Sequence, residues 1–331
     1  MPVDKLRWGI LGTGRIVDLL LPAFRGVAHS RVVAVASRDP ERARTWAAER
    51  GVPVALGSYE ELVASNEVNA VYIALPNALH REWAVRAAQA GKHVLCEKPL
   101  AVNATEARQM AAAAEAHGVK LMEAFMYRFH PQIARLRQLV ADGAIGELKQ
   151  IRASFGFSIR RADDIRLSRE LGGGALLDVG CYCVNVARLL TGAEPTAAAA
   201  RAVWGPSGVD ESFAGVLEFP RGVLAVIDCS FHIGASLQQW LSISGTQGRI
   251  IVTHPFRVGE EPVTLQLDNL DAMGRAESVQ LPGASEYWLM VQHFTDAVLD
   301  DRPLDYPPQD SVANMQAIDA LLAAALSART P

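Results

Sequence analysis

Apolar, strand-like runs alternate with helical stretches through the first third of the chain, and this alternation limits the folds that it can adopt. The run LRWGIL leads through a glycine turn into IVDLLLPAFRG, whose apolar spacing is that of a helix. The strand-like runs lie at residues 6–11, 31–37, 70–76, 92–99 and 119–125. Because parallel strands need crossover connections, which are usually helices, the pattern predicts an α/β fold with an N-terminal doubly wound parallel sheet.

The character of the sequence changes after residue 122, so we expect one domain at residues 1–122 and a second at residues 123–331. Antiparallel meanders are predicted at 214–233, 237–254 and 263–269, and helices at 287–301 and 311–326. In the last helix a core stripe is expected from Met315, Ile318, Leu322 and Ala325. The second half therefore predicts an α+β domain with a broad, largely antiparallel, open-faced sheet.

Composition narrows the classes of partner. The 331 residues are 50% hydrophobic, and 32 basic against 36 acidic residues give a net charge of −4. Because no basic stripe is present to neutralise a row of phosphates, nucleic acid is not an expected partner, and a small molecule is. The eight histidines form no H-E-x-x-H pattern and the P-loop lysine motif is absent, so neither a metal nor an NTPase site is expected.

Compartment is judged from apolar runs, the N-terminal residues and the cysteines. No run approaches the ~20 apolar residues of a membrane span, and the first residues carry acidic Asp4, unlike a signal peptide. We expect a cytoplasmic protein without membrane contact. The four cysteines are then expected to be buried, reduced thiols: Cys96, Cys181, Cys183 and Cys229.

A glycine-rich turn follows the first strand. In such sheets ligands lie beyond the strand C-termini, where backbone N–H groups and a helix N-terminus hold a pyrophosphate. The predicted contacts are Gly12, Thr13, Gly14, Arg15 and Ile16. The third glycine position of G-x-G-x-x-G is Val17, and the motif alone is weak. Its place between a strand and a helix favours a Rossmann dinucleotide site over a turn without a ligand.

The second strand ends in Ser37-Arg38, where an NAD enzyme usually offers an acidic residue to the ribose hydroxyls. A hydroxyl and a guanidinium suit a 2′-phosphate, so NADP is preferred over NAD. Asp39 follows directly and keeps NAD open as an alternative. For Arg15, contact with the pyrophosphate, contact with the 2′-phosphate and exposure to solvent all remain open.

Three segments together resemble the Gfo/Idh/MocA oxidoreductases: GILGTGRI, ALPNALH at residues 74–80 and EKP at residues 97–99. The resemblance implies an NAD(P)-dependent sugar or cyclitol oxidoreductase with a Rossmann domain and a second α/β domain. It places Lys98 by the nicotinamide and the substrate hydroxyl, with a cis peptide commonly before Pro99. It also implies cofactor contacts for Pro76, Asn77, His80 and Glu97, although for His80 a purely helical, first-turn role is nearly as well supported.

The chemistry of alcohol oxidation agrees with this assignment of Lys98. A hydride leaving a carbinol carbon requires removal of the alcohol proton, and a fixed cation beside that oxygen stabilises the developing alkoxide. The ammonium group of Lys98 supplies such a cation.

In the second half, the glycine-rich segment LGGGALLDVGCY places Asp178 and Tyr182 four residues apart, on one face of a helix. It resembles a family pattern in which many members have histidine where this chain has Tyr182. Tyrosine there, with EAFMYRFHPQ at residues 123–132, resembles the branch of glucose-fructose oxidoreductase, dimeric dihydrodiol dehydrogenase and NADP-dependent xylose dehydrogenase. A free phenol titrates near ~10, and an adjacent ammonium would assist its ionisation. We assign Tyr182 as acid/base and Asp178 as the residue that orients Lys98 or a sugar hydroxyl.

The sequence thus predicts an NADP-preferring oxidoreductase of a sugar or sugar-like polyol, of the aldose 1-dehydrogenase type. The substrate pocket is expected to include Lys98, Asp178 and Tyr182. Four further residues are candidates for its lining, with a structural or surface role equally open for each: Tyr127, Arg128, His130 and Arg166. The alternatives are a nucleotide-sugar 3-ketoreductase and a regulator that binds dinucleotide without turning it over. By resemblance, the second domain is expected to bind substrate and to join subunits through its sheet into a homodimer or homotetramer.

Overall fold

The computed structural model describes residues 5–234, 236–269 and 276–329. The chain forms two compact units. The first contains Met1–Phe125 together with Tyr287–Val312, and the second contains Met126–Glu286 together with Ala313–Pro331. The sequence-based boundary between residues 122 and 123 remains a prediction about folding domains, and the packing units add a late segment of the chain to the first half.

A parallel sheet forms the centre of the first unit, as predicted, and it has six strands where the sequence indicated five. Its strands are β1 (Leu6–Leu11), β2 (Ser30–Ala36), β3 (Val54–Leu56), β4 (Ala70–Ile73), β5 (His93–Cys96) and β6 (Leu121–Glu123). The spatial order is β3-β2-β1-β4-β5-β6. The order reverses beside β1, so the carboxyl end of β1 lies at the switch point where such sheets bind ligands.

Helices connect the strands of this sheet. They are α1 (Arg15–Gly26), α2 (Pro40–Arg50), α3 (Tyr59–Ala64), α4 (His80–Gln89) and α5 (Ala104–Ala116). A later helix, α8 (Glu286–Leu299), adds Phe294 to the core, where its ring centroid lies 5.4 Å from that of Trp8. The late segment therefore belongs to the first unit because it buries aromatic surface there.

Strand β3 and helix α3 were not predicted from the sequence. Each is short, with three and six residues, and neither is long enough to show a periodic apolar pattern. The EKP motif therefore follows the fifth strand of the sheet, not the fourth.

The second unit contains an eight-stranded sheet. Its strands are β7 (Leu148–Gly156), β8 (Ala197–Trp204), β9 (Asp210–Phe219), β10 (Val223–Ser230), β11 (Gln238–Gly245), β12 (Gly248–Val252), β13 (Val263–Asn269) and β14 (Ala276–Leu281). The order is β14-β13-β12-β11-β7-β10-β9-β8. Neighbours pair antiparallel except β7 with β10, which are parallel. The predicted broad, largely antiparallel sheet is confirmed.

Strand β7 lies between β10 and β11, so it separates the predicted meander at 214–233 from the one at 237–254. It pairs Phe155 with Cys229 on one side and with Gln239 on the other. Such pairing between distant parts of the chain leaves no local signal in the sequence.

The other α-helices that the structure describes are α6 (Pro131–Ala141), α7 (Cys181–Thr191) and α9 (Pro308–Ser327). In α9 the core stripe was predicted with Leu322, which is wrong: Leu321 is fully buried and Leu322 is partly exposed. The four cysteines are buried and form no disulfide with one another, as expected. Within residues 5–234, 236–269 and 276–329, no helix has both the length and the apolar character needed to cross a membrane.

Candidate active site

The glycine turn after β1 has the backbone geometry of a phosphate-binding loop. Gly12 adopts a φ of +102°, and a Cβ atom there would lie 2.6 Å from the carbonyl oxygen of Ala74. Only glycine fits this position. Gly14 precedes α1 as its N-cap, makes no side-chain cap, and has open space where a Cβ would stand. Val17 is fully buried in α1, so the departure from the third glycine is absorbed by the core.

Three charged side chains follow β2: those of Arg38 and Arg42 and the carboxylate of Asp39, which is already hydrogen-bonded. Arg38 is exposed, and its charge and hydrogen bond to Tyr59 oppose the rise that burial causes in the pKa of that tyrosine. Asp39 does not turn toward the sheet edge as an alternative ribose ligand, since its Oδ1 accepts from the N–H groups of Glu41 (3.0 Å) and Arg42 (3.2 Å). It is the N-cap of α2.

Arg42 is a candidate cofactor residue that the sequence analysis did not single out. Its Nη2 donates to the carbonyl oxygen of Thr13 over 3.5 Å, so its guanidinium lies against the glycine turn. It lies four residues after Arg38, and this spacing was the available signal in the sequence. Ser37, only 7% exposed, accepts from the N–H of Asp39 at 3.2 Å.

These residues fit a nicotinamide dinucleotide. The N-terminal N–H groups of α1, a turn that tolerates no side chain at Gly12, and the cations at the end of β2 all lie at the carboxyl edge of one sheet. A helix N-terminus and backbone N–H groups suit a pyrophosphate, and guanidinium groups suit a phosphate monoester.

The EKP segment follows β5 at the same edge. The Lys98–Pro99 peptide bond is cis, as the family resemblance implied. Lys98 is partly exposed, whereas its neighbours Glu97, Pro99 and Leu100 are buried. The Oε1 atom of Glu97 accepts from the hydroxyl of Tyr72 at 2.6 Å. The carboxylate therefore anchors the segment to β4.

His80 is fully buried at the start of α4. Nδ1 lies 2.9 Å from the carbonyl oxygen of Pro99, and Nε2 lies 2.9 Å from that of Leu75. Burial lowers the pKa of the ring, against the raising effect of these carbonyls. Both nitrogens face backbone, so the ring joins the loop after β4 to the EKP segment. The cofactor contact predicted for it, like those predicted for Pro76 and Asn77 in the same loop, remains a prediction.

In the second unit, the glycine-rich segment is shaped by close backbone approach. A Cβ on Gly173 would lie 2.2 Å from the carbonyl oxygen of Arg166, and one on Gly174, whose φ is +125°, would lie 2.3 Å from Oδ1 of Asp210. Oδ2 of Asp210 accepts from the N–H of Leu176 at 2.7 Å. Asp210, which the sequence did not indicate, therefore caps the helical turn that carries Asp178.

Asp178 lies in a π-helical turn, Leu176–Gly180, which continues as α7. The single α-helical run that the sequence predicted is thus two helical forms, and π turns are frequent at functional sites. Oδ2 of Asp178 accepts from Nε of Arg166 at 2.7 Å. The charge of Asp178, followed by that of Asp164, raises the pKa of Arg166 despite its burial. Two predicted substrate residues therefore form one ion pair.

Tyr182 lies in the first turn of α7 and is 5% exposed. Its ring packs against Phe155, Phe256 and Tyr127, with centroid separations of 5.2, 5.5 and 5.9 Å. Its hydroxyl donates to Sδ of Met126 at 3.6 Å. The ring is therefore held on three sides by aromatic groups, which fixes the direction of the phenol.

Two other predicted pocket residues meet at one amide that the sequence did not indicate. The hydroxyl of Tyr127 donates to Oδ1 of Asn185 at 2.5 Å, and Nη1 of Arg128 donates to the same oxygen at 3.2 Å. Tyr127 is fully buried, so its ring supports Tyr182 from behind. Asn185 lies three residues after Tyr182 on α7, and this spacing was the available signal.

His130 is the N-cap of α6. Nδ1 accepts from the N–H of Gln132 at 3.1 Å, and Nε2 is buried without a hydrogen-bond partner among the residues that the structure describes. Burial lowers the pKa of this ring. In the neutral ring, Nε2 therefore carries the proton. Among the same residues, no cluster of three or more His, Cys, Asp or Glu side chains is arranged to hold a metal ion.

The structure thus brings the predicted residues together in two groups. In the first unit, the glycine turn, Arg38 and Lys98 share the carboxyl edge of the parallel sheet. In the second unit, Arg166 pairs with Asp178, while Tyr127 packs on Tyr182. A Rossmann sheet with this edge chemistry defines the class of NAD(P)-dependent oxidoreductases.

The chain belongs to the GFO/IDH/MocA family. Residues 6–125 match the family described as "Oxidoreductase family, NAD-binding Rossmann fold", and residues 133–251 match the GFO/IDH/MocA C-terminal domain. Together the two matches span most of the chain. The family resemblance seen in the sequence is confirmed, and the protein is an NAD(P)-dependent oxidoreductase.

Relatives of the predicted branch are similar over much or all of the chain. D-xylose 1-dehydrogenase (NADP(+)) 2 of Haloferax volcanii is 38% identical over 96% of each chain. Trans-1,2-dihydrobenzene-1,2-diol dehydrogenase of Xenopus laevis is 41% identical over 74% of each. The crystal structure of KijD10, a 3-ketoreductase from Actinomadura kijaniata, in complex with NADP and TDP-benzene superposes with a TM-score of 0.89 at 30% identity, covering 97% of this chain and 98% of that one.

Proposed function

We propose that this protein is an NADP-preferring dehydrogenase of a sugar or sugar-like polyol, of the aldose 1-dehydrogenase type. The relative of matching length, from Haloferax volcanii, is named a D-xylose 1-dehydrogenase that uses NADP. The dihydrodiol dehydrogenase from Xenopus laevis is likewise named for oxidation of a vicinal diol. A ring that carries neighbouring hydroxyl groups is the chemistry common to these names.

One observation carries the proposal. The glycine turn after β1, Arg38 after β2 and Lys98 after β5 all stand at the carboxyl edge of one parallel sheet. A dinucleotide that lies along this edge has its adenosine end near Arg38 and its nicotinamide end on the side of β4 and β5. Lys98 is partly exposed there, although its neighbours in sequence are buried. A cation that stabilises charge on a reacting carbinol oxygen must be exposed to the substrate in this way.

The roles of the side chains follow from their chemistry. When bound, the nicotinamide supplies the acceptor for the hydride of the carbinol carbon. Lys98 stabilises the alkoxide that develops on the substrate oxygen, and Tyr182 takes the proton of that hydroxyl, or returns it in carbonyl reduction. Asp178, which pairs with Arg166 at 2.7 Å, accepts a hydrogen bond from a neighbouring sugar hydroxyl. The packed rings around Tyr182 hold its phenol in one direction.

The preference for NADP is supported by the end of β2. A 2′-hydroxyl in NAD is usually bound by an acidic side chain, and Asp39 uses its carboxylate to cap α2. Arg38 and Arg42 are exposed cations in the same region, and Arg42 contacts the glycine turn. Two guanidinium groups favour the additional phosphate of NADP.

The test is a panel of substrates followed by the absorbance of the reduced cofactor. D-xylose, D-glucose, D-galactose, L-arabinose and a cyclic vicinal diol are each offered with NADP⁺ and with NAD⁺. We expect oxidation of at least one aldose at C1, detected as its lactone by mass spectrometry, with kcat/KM higher for NADP⁺ by ~10-fold or more. Oxidation at another carbon, or a preference for NAD⁺, would contradict the proposal.

The second candidate is reduction of a 3-keto group on a nucleotide-linked sugar. It is favoured by the likeness to KijD10, which covers nearly the whole chain. A TDP-3-keto-deoxysugar offered with NADPH tests it, because turnover of that substrate with silence toward every free aldose selects the ketoreductase.

The expected assembly and compartment remain predictions. A homodimer or homotetramer through the eight-stranded sheet of the second unit would show in light scattering as a mass of two or four times 35.7 kDa. The cytoplasmic location is tested by fractionation of the source cells.

A further inference from the structure

A buried hydrogen-bond chain ends at the backbone of the EKP segment. The N–H of Leu100 donates to Oε1 of Glu123 at 2.8 Å. The other oxygen, Oε2, accepts from the hydroxyl of Tyr306 at 2.7 Å. Glu123, Tyr306 and Leu100 are all fully buried. One carboxylate therefore joins a tyrosine to a peptide group that lies two residues from Lys98.

The tyrosine comes from a remote part of the sequence. Tyr306 lies 183 residues after Glu123 in the chain, in the late segment that packs with the first unit. Its ring also lies against Phe125, with 6.1 Å between the centroids. The late segment thus does more than add apolar surface to the core, because it places a hydroxyl on a carboxylate directly behind the EKP segment.

The short segment that contains Lys98 is held from three directions. Glu97 accepts from Tyr72, Pro99 offers its carbonyl to His80, and Leu100 donates to Glu123. Each partner belongs to a different element: β4, the start of α4 and the end of β6. Lys98 is the one residue of the four that reaches the surface.

We propose that Tyr306 and Glu123 form a positioning pair that fixes the direction of Lys98 through the backbone of Leu100. This inference rests on the role proposed above for Lys98 in stabilising the substrate oxygen. Burial of a carboxylate is unfavourable before its hydrogen bonds are counted, and a buried polar pair can often be replaced by an apolar pair of the same volume without loss of stability. A buried carboxylate held by a distant tyrosine is therefore better explained by the orientation that it imposes than by stability.

The first experiment replaces Tyr306 with phenylalanine, which removes only the hydroxyl. Since a displacement of about 1 Å at a reacting group is enough to cost up to ~10²-fold, we expect Tyr306→Phe to lower kcat with D-xylose and NADP⁺ by ~10-fold. The KM for NADP⁺ should stay within ~2-fold, because the glycine turn and Arg38 are untouched. Glu123→Gln, which keeps an oxygen for Leu100 but alters the bond to Tyr306, should lower kcat in the same way.

The matched control is Thr295→Val. Thr295 is fully buried in α8 of the same unit, and its hydroxyl has no hydrogen-bond partner in the part of the chain that is described. Removal of this hydroxyl should leave kcat unchanged. If Tyr306→Phe and Thr295→Val have the same kcat, the positioning pair is refuted.

A double variant separates this inference from the proposed function. In a Lys98→Met background the pair has no ammonium left to orient, so the further change Tyr306→Phe should alter kcat by less than ~2-fold. A full additional loss in that background would show that the pair acts elsewhere and would overturn the inference. If Lys98→Met itself is as active as the unchanged protein, the proposed role of Lys98 fails first.

A readout without turnover completes the test. The chain contains five lysines, so reductive ¹³C-methylation gives few dimethyl-lysine NMR signals, and Lys98→Met identifies the signal of Lys98. We expect the shift and the titration of that signal to change in Tyr306→Phe and to stay unchanged in Thr295→Val. An unaltered Lys98 signal in Tyr306→Phe overturns the inference whether or not the protein oxidises sugars.

Discussion

In the first unit, the segment around Lys98 is held by hydrogen bonds of hydroxyl, imidazole and backbone groups with buried carboxylates and carbonyls. In the second unit, Asp178 and Tyr182 are held by an ion pair, by packed aromatic rings and by the hydrogen bond that Asp210 accepts from the helical turn that carries Asp178. Lys98 is held through its neighbours in sequence, none of which is exposed. Asp178 is held by Arg166, whose side chain is 35% exposed.

The two regions should respond differently to salt and to the loss of a charged group. Hydrogen bonds buried in a core are screened little by salt, whereas a partly exposed ion pair is weakened by it and by the loss of either charge. The segment around Lys98 should therefore respond little to salt, whereas the pair of Arg166 with Asp178 should be weakened by it.

The largest effect is expected at the phenol of the second unit. Tyr182→Phe keeps the ring packing against Phe155 and Phe256 but removes the acid/base hydroxyl. We expect kcat to fall by at least ~10²-fold, because general acid–base catalysis contributes this much. The Kd of NADP, measured by fluorescence titration, should not change. Near-normal turnover would move the proton transfer to Lys98 or to a water molecule and would remove the division of roles between the two regions.

A smaller effect, of the opposite kind, is expected at the dinucleotide edge. Arg38→Ala removes a cation proposed for the 2′-phosphate, so the KM for NADP should rise by ~10-fold while the KM for NAD and kcat change little. Arg44→Ala is the matched control, since Arg44 is an exposed arginine of the neighbouring helix α2 and pairs with Glu41. Steady-state kinetics with both cofactors measures this. Equal effects of Arg38→Ala on the two cofactors would refute the assignment.

The last prediction concerns the stability of the second region and its dependence on pH. Burial raises the pKa of Asp210 to about 6, against the lowering effect of the N–H groups of Leu176 and Ala175. An unfolded aspartate titrates near ~3.9. Because the folded pKa is the higher one, the native state binds the proton more tightly, and this stabilisation is present below pH ~4 and is lost as the pH rises through ~6.

The corresponding variant is Asp210→Asn. The free energy of unfolding of the natural protein, relative to Asp210→Asn, should fall by roughly 2–3 kcal/mol between pH ~4 and ~6.5. Urea denaturation at several pH values measures it, with Asp142→Asn as a control, since Asp142 is an exposed carboxylate. Parallel curves for the natural protein and Asp210→Asn would mean that this carboxyl is not the titrating group.

The comparison of the two units also explains which features were predictable. In the first unit strands β1 to β5 are each followed by a helix. Apolar periodicity marks most of these elements, so the parallel sheet and the edge that carries Gly12, Arg38 and Lys98 followed from the sequence. Only β3 and α3 escaped, because they are too short to show a period. In the second unit, strand β7 inserts between two predicted meanders, and no local pattern records that pairing.

The site residues divide in the same way. Lys98, Asp178 and Tyr182 were singled out because they stand in short motifs that resemble a family. Asp210 and Asn185 were not, since they act on their partners through hydrogen bonds between distant parts of the chain and occupy no motif. The engagement of Asp39 as a helix cap, which favours NADP, is a matter of side-chain direction that spacing leaves open.

The parallel sheet, the glycine turn at its switch point and the kinds of reactive side chain could be predicted from the sequence, because they depend on neighbours a few residues apart. The groups that hold these side chains in place are visible only in the folded chain. Tyr306 meets Glu123 across 183 residues, and Arg166 meets Asp178 across a loop and a glycine turn. Contacts of this kind form only when the chain has folded, since burial and backbone direction, not sequence spacing, bring the atoms within hydrogen-bonding distance.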